Sequence, residues 1–423
     1  MKILITTFGT RGDLQPYIAF ALGLQAANHT VAVCTSEGYR SFVESYGLQY
    51  EYLDRELLEL TQLLMGEAET IKEIMRATRK MPPLMRQMME EEWHTAHRFQ
   101  PDLIIYHPKC LGSLHVAEKL GIPAILSLPL PFYTPTTAFP VPFMANVRLG
   151  KRFNKWSYGL MEKAPLLMYG KMINDFRVKT LAIPSLGRFP NLLARSDGSP
   201  VPVIYPYSAH VLPVPDDFPP HVYVTGYWFL DRPAEWQPDP DLVRFLEAGP
   251  PPVYIGYGSM GGQGAHKRTK DVIEALERSG QRGLIASGWG GLKVSSVPDN
   301  IYKLDTVPHD WLFPQTAAVV HHGGSGTTAS GLRAGKPTVI CPFLGDQPFW
   351  GKLVHQLGVG PKPIPQRRLT VDRLAEAIIL ATQDVGMQRR AKELGQKISA
   401  EDGVTLAVQI VAKIAGGVAQ PPN

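Results

Sequence analysis

Short apolar runs alternate with segments of helical period along most of the chain, and the first forty residues set the pattern. KILITT is strand-like, FGTRGDLQ is polar and rich in turn formers, residues 16–27 carry apolar side chains at helical spacing, and TVAVCT is a second strand-like run. Strand, loop, helix and strand in that order predict the βαβ start of a parallel sheet. PDLIIYH and PAILSLP predict two more strands, with a helix over 112–120 between them. From 132 to 190 the periodicity dissolves into aromatic, methionine and basic residues, which predicts helices packed beside the sheet. A second set of strand-like runs, PVYIGYG, GLIAS, NIYKL, AAVVHH and PTVICP, is separated by helical patterns over 269–279, 325–334 and 347–357. The stretch between the two sets, DRPAEWQPDP, has prolines and acids that oppose regular structure. Residues 371–415 are helical by period and contain no strand pattern, and no repeat of fixed length is present.

These elements predict an α/β protein of two doubly wound units facing each other across a cleft. The expected boundaries are 1–225 for the first unit, 226–245 for a linker, 246–395 for the second unit and 396–423 for a final helical segment. Length agrees, since 423 residues exceed one compact core of ordinary size and suit two units of roughly 200 residues. Charge then narrows the partners. A net +5, from 43 basic and 38 acidic residues without a long basic block, argues against nucleic acid. Cys34, Cys110 and Cys341 are odd in number and far apart, so neither a disulfide framework nor a zinc site is expected, and a reducing, cytoplasmic compartment is. The amino terminus reads as a first strand and not as a secretory signal. The most apolar long tract, 121–147, carries six prolines and cannot be an ordinary membrane-spanning helix.

Candidate chemistry concentrates in HHGGSGTTASGLRAGKPTVICPFLGDQ, residues 321–347. A strand ends in His321 and His322, glycines make a tight turn, and a helix begins. The exposed N–H groups and partial positive charge of such a helix start hold phosphate. Ser325, Thr327 and Thr328 add hydroxyl donors, and one of the two histidines supplies another contact; a plain glycine turn with a core histidine is the competing reading. GLRAGKP is one residue short of a Walker loop and has proline where the magnesium-binding hydroxyl belongs. GxGxxG is absent here and after the first strand, which disfavours nicotinamide chemistry. Asp346 and Gln347 follow a strand at its carboxyl end, where ligands of open sheets bind, and a carboxylate beside an amide suits sugar hydroxyls; Asp346 is alternatively a helix N-cap. Asp13, in GTRGDLQP, stands at the top of the first strand, either as a base toward an attacking hydroxyl or as the N-cap of a helix entered at Gln15-Pro16. Arg11 either neutralises phosphate or pairs with Asp13.

Residues 307–365, from VPHDWLFPQ through the stretch above to GVGPKPIP, resemble the nucleotide-sugar signature of family 1 glycosyltransferases, and of the sterol 3-beta-glucosyltransferases most closely. GTRGDLQP resembles the N-terminal motif of the same group, shared with glycopeptide glycosyltransferases. The resemblance implies a GT-B fold with an N-terminal acceptor domain, a C-terminal nucleotide-sugar domain and a last helix crossing back. It implies that His322 with Gly324, Ser325, Gly326 and Thr327 holds the diphosphate, that Asp346 and Gln347 hold the sugar, and that Ser259 in GYGSM approaches the phosphates. Val307, in Thr306-Val307-Pro308, falls at the base, and Thr10 and Arg11 join the donor contacts. Trp289, in SGWGG, either lines the pocket or is simply packed. Two departures stand out: the tryptophan that stacks on the base in plant small-molecule members has no counterpart near Thr306, and their GHxxP histidine is replaced here by Asp13.

The expected chemistry is inverting transfer of a hexose, glucose first, from a UDP-sugar to a lipophilic hydroxyl such as that of a sterol. Asp13 is the expected base, and neither a metal nor another cofactor is expected. Residues 129–181, with Lys151, Arg152, Lys155 and Lys163 among aromatics and methionines, are a candidate for lipid contact at a membrane surface, with ordinary helix packing as the alternative. Other readings are a polyketide or peptide aglycone with a UDP- or dTDP-sugar, a nucleotide-sugar epimerase, and a non-catalytic sugar-nucleotide sensor.

Overall fold

The computed structural model describes residues 1–54, 56–62, 71–187, 191, 193–195, 197–258, 264–287, 292 and 297–416. Two parallel sheets organise it. The first contains β1 (Lys2–Thr6), β2 (Thr30–Ser36), β3 (Gln49–Leu53), β4 (Leu103–Tyr106), β5 (Ala124–Ser127), β6 (Val203–Tyr205) and β7 (Val222–Val224), in the order β3-β2-β1-β4-β5-β6-β7. The second contains β8 (Val253–Gly256), β9 (Gly283–Ala286), β10 (Ile301–Leu304), β11 (Ala318–His321) and β12 (Thr338–Ile340), in the order β10-β9-β8-β11-β12.

Helices cover both faces of each sheet, which explains the uninterrupted apolar strands. Ile3, Leu4 and Ile5 have no exposed surface, and neither do Ala318, Val319 and Val320. Burying one such aliphatic side chain contributes about 1.5–3 kcal/mol. In each sheet the strand order reverses once, between β1 and β4 in the first and between β8 and β11 in the second. Loops leaving the carboxyl ends of neighbouring strands diverge at such points, and the crevice between them is where open α/β sheets bind ligands.

The helix after β1 runs Arg11–Ala26, five residues longer at its start than its apolar period predicts. Thr10 is the N-cap residue, so Asp13 is the third helical residue and neither the cap nor a pre-helical loop residue. Pro16 lies inside the helix and has no N–H to offer the Gly12 carbonyl. Two helices, Lys151–Ser157 and Gly159–Asp175, occupy the mixed segment before 190. Among the described residues no helix is long and apolar enough to cross a membrane. After three successive helices, Val371–Gln383, Val385–Ser399 and Gly403–Gly416, the last lies against Arg11–Ala26, with Trp228 Nε1 donating to the Gly403 carbonyl at 3.1 Å.

Candidate active site

The reversal in the first sheet places two loops side by side, one after β1 and one after β4. From the first, Asp13 turns its carboxylate back onto the helix start: Oδ2 accepts from the Thr10 N–H at 2.8 Å and from the Thr10 hydroxyl at 3.1 Å. From the second, Lys109 reaches across and donates to Oδ1 at 2.9 Å. His107 Nε2 stands 3.8 Å from the same oxygen. The Lys109 N–H donates to His107 Nδ1 at 3.2 Å, so the ring proton belongs on Nε2, facing Asp13. Burial and the neighbouring ammonium push His107 down to about 3, so the ring is neutral. Burial alone raises Asp13, yet Lys109, His107 and the Thr10 N–H together outweigh it and leave the carboxyl below its ordinary value.

Arg11 does not pair with Asp13. Its guanidinium lies 4.7 Å over the Phe42 ring, and its charge helps depress His309 in the second unit, after burial, to about 4. Lys109 has taken the role of ion partner. Neither Lys109 nor His107 is singled out by the sequence, because the link from Lys109 to Asp13 spans 96 residues and that of His107 is nearly as long, and both exist only through the adjacency of β1 and β4. The available signal is YHPK directly after an apolar strand, at a carboxyl end.

In the second sheet, β11 ends at His321 and the helix Ser325–Arg333 follows, with Gly324 as N-cap residue. The helix closes with the Thr328 N–H on the Gly324 carbonyl at 2.9 Å, so the N–H groups of Ser325, Gly326 and Thr327 have no intrahelical acceptor. Thr328 cannot serve as a hydroxyl donor to phosphate, contrary to expectation: it is fully buried and its hydroxyl bonds the Gly324 carbonyl at 2.9 Å. The two histidines divide their work. His321 is fully buried and its Nδ1 accepts the Gly323 N–H at 2.9 Å, which braces the turn. His322 is partly exposed and packs close to Gly258 and Gly324, where added Cβ atoms would lie 3.0 and 2.6 Å from its ring. Burial lowers His322 to about 4, so it offers a neutral N–H and no positive charge.

Asp346 and Gln347 open the helix Gln347–Gln356. Asp346 occupies the N-cap position without capping through its side chain, and Oδ2 instead accepts from Trp350 Nε1 at 2.9 Å. Burial raises its pKa to about 6, and the Asp13 carboxylate across the cleft adds to the rise while Lys109 opposes it. The charge of Asp13 is thus felt at Asp346, so the two carboxylates lie near each other. Gln347 is buried, and its amide oxygen is occupied by the N–H groups of Phe343 at 2.7 Å and Leu344 at 3.3 Å. It is therefore left as a donor through its NH2, and not as both donor and acceptor. Val307 follows the edge strand β10, half-buried in the cluster of Tyr254, Leu304 and Phe313. Ser259 and Trp289 lie outside the described residues. Among the described residues no group of His, Cys, Asp and Glu has the clustering of a metal site.

Residues 3–139 match the family model of the glycosyltransferase family 28 N-terminal domain, and 289–414 match that of the erythromycin biosynthesis protein CIII-like C-terminal domain. Solved structures with the same fold include the kitacinnamycin glycotransferase, 17% identical with a TM-score of 0.70 over 97% of this chain and 98% of that one. Another is the glycosyltransferase VinC in complex with dTDP, 20% identical with a TM-score of 0.68 over 99% of this chain and all of that one. Two units of this kind, each with its strand-order reversal opening on a shared cleft, define the GT-B class. Two sterol 3-beta-glucosyltransferases of Arabidopsis thaliana are each 38% identical, over 98% and 96% of this chain and 65% and 67% of their own lengths. The chain belongs to the sterol 3-beta-glucosyltransferase family, and it spans about two-thirds of the length of these plant relatives.

Proposed function

We propose that the chain transfers glucose from UDP-glucose to the hydroxyl of a lipophilic acceptor, a sterol first, with inversion at the anomeric carbon and without a metal. What supports this is that an ionised acid, Asp13, lies near a second carboxylate, Asp346, which opens a helix beside the unbonded N–H groups of Ser325, Gly326 and Thr327. The acceptor oxygen attacks the anomeric carbon as its proton passes to Asp13, and the bond from that carbon to the diphosphate breaks. The departing anion meets the N–H groups of Ser325, Gly326 and Thr327, the positive end of their helix and the neutral N–H of His322. Asp346 accepts from sugar hydroxyls and the Gln347 NH2 donates to them. Arg11, Thr10 and Val307 border the nucleotide, with Ser259 and Trp289 as further donor contacts.

A dTDP-sugar and a polyketide or peptide aglycone form the second reading, supported by the fold shared with VinC, whose structure holds dTDP. For the sterol reading, the acceptor is membrane-borne and the enzyme works at a cytoplasmic membrane surface. The helices Lys151–Ser157 and Gly159–Asp175 support this: Trp156, Leu167 and Met168 are 63%, 86% and 70% exposed beside the exposed Lys151, Arg152, Lys155 and Lys163. The test is incubation with UDP-glucose or a dTDP-sugar and sterol-loaded vesicles or soluble aglycones, read by mass gain of one hexose. Expected are sterol glucoside with UDP-glucose, protein floating with the vesicles, and a rate for Asp13→Asn lower by roughly 10²–10⁴-fold. Full rates with Asp13→Asn sink the base assignment, and glycosylation of soluble aglycones alone sinks the sterol reading.

A further inference from the structure

The carboxylate of Asp13 offers its two oxygens unequally. Oδ2 already accepts both Thr10 donors, the N–H at 2.8 Å and the hydroxyl at 3.1 Å. Oδ1 faces Lys109 and His107. An acceptor hydroxyl must therefore hand its proton to Oδ1, the oxygen that Lys109 holds. The Lys109 side chain is 44% exposed and that of Asp13 23%, so the pair is not sealed from solvent.

We infer that Lys109 is a positioning residue for glycosyl transfer, fixing the Asp13 carboxylate in its ionised form with Oδ1 turned toward the acceptor and remaining as the cation beside it once the proton arrives. The inference rests on Asp13 being the base. During the step the acceptor O–H bond breaks and its proton binds Oδ1, the acceptor oxygen bonds the anomeric carbon, and the bond to the diphosphate breaks with its electron pair on the leaving oxygen. One negative charge thereby moves from Asp13 to the nucleotide. Lys109 loses its partner as Asp13 becomes neutral, and its charge then acts on the anion in the same cleft. His107 cannot substitute, because its ring is neutral and 3.8 Å away. The other groups that feel the Asp13 charge are Asp346 from the facing helix, Tyr39 from the turn Glu37–Tyr39, and Tyr17 from its own helix. None of these is a cation.

The experiment follows the Asp13 carboxyl directly, by infrared or carbon NMR titration of the full chain, with Asp13→Asn used to identify its signal. In Lys109→Met the Asp13 midpoint rises by more than one pH unit, because the stabilising cation is gone while burial stays. In Lys109→Arg it stays near the parent value. In the transfer assay Lys109→Met lowers kcat at least tenfold with the donor KM within threefold, and Lys109→Arg recovers most of that loss. An Asp13 midpoint unmoved in Lys109→Met, or moved equally in Lys109→Arg, overturns the inference. The titration needs no substrate, so it stands even if another acceptor or donor proves correct. Conversely, an Asp13→Asn protein with full activity defeats the base reading while leaving the titration result intact.

Discussion

Gly9 has φ of +143°, a conformation that side chains rarely adopt, and it lies beneath the Asp13 and Lys109 pair. A Cβ at this position would sit 2.2 Å from Asp13 Oδ2 and 2.8 Å from Lys109 Nζ. Gly9→Ala should therefore displace the carboxylate while leaving the apolar strand before it intact. A shift of about 1 Å in a reacting group can reduce a rate by about 10²-fold. The expected result is that loss in kcat with an unchanged circular dichroism spectrum, and activity within twofold of the parent would refute the steric argument. The residues visible to sequence reasoning at this scale, Asp13, His322 and Asp346, all follow recognisable strand ends with glycine or helix-start chemistry beside them. Lys109 and His107 carry no such local mark. Likewise the restriction of Gln347 to donation comes from two backbone N–H groups that only the folded loop brings to its amide oxygen.

Among the elements, the long helix Ile71–Phe99 buries Glu92 against the start of the helix Ser113–Leu120. Ser113 donates to Glu92 Oε2 at 2.5 Å, and Ser113 in turn lies 2.6 Å from the Thr6 hydroxyl at the end of β1. Burial pushes Glu92 up to about 7 from an ordinary 4.5, against the pull of Ser113 and the Gly112 N–H. The folded protein thus keeps a proton that the unfolded chain releases, and stability falls as pH rises from about 4.5 to 7. Glu92→Gln should be more stable than the parent above pH 7, by on the order of 2–3 kcal/mol at most, and should match it near pH 4. Denaturant melts across that range decide it, and an equal pH dependence in both proteins would contradict the buried, protonated carboxyl. Strands with plain apolar runs were legible without coordinates, including all five of the second sheet. β6 and β7 are three residues each, and Pro202 and Pro206 flank β6, so the pattern is too short to register. β3, QYEYL, mixes polar and aromatic side chains, and Pro82-Pro83 stands inside the long helix, where proline opposes a helical reading.

At the scale of the whole molecule, the last helix joins the two units. Gly23 on the helix that carries Asp13 is so close to it that a Cβ would sit 2.3 Å from Val404 Cγ1. Gly23→Leu should force the helices apart and cost about 1–3 kcal/mol by overpacking. A lowered midpoint in thermal melts, with transfer activity reduced below that midpoint as well, is expected; an unshifted melt would mean the helix pair gives way freely. Further contacts in this part of the molecule join Arg232 to Asp310 at 2.7 Å, Arg333 to Asp231 at 2.6 Å, and Ser208 to Glu401 at 2.9 Å. Elsewhere between the units, Lys352 donates to the Ala145 carbonyl at 2.7 Å and Phe139 meets Phe349 with ring centroids 5.9 Å apart. Lys352 and the Phe139–Phe349 pair thus join the halves at a place apart from the last helix, so parting the two units breaks contacts that no covalent connection there replaces.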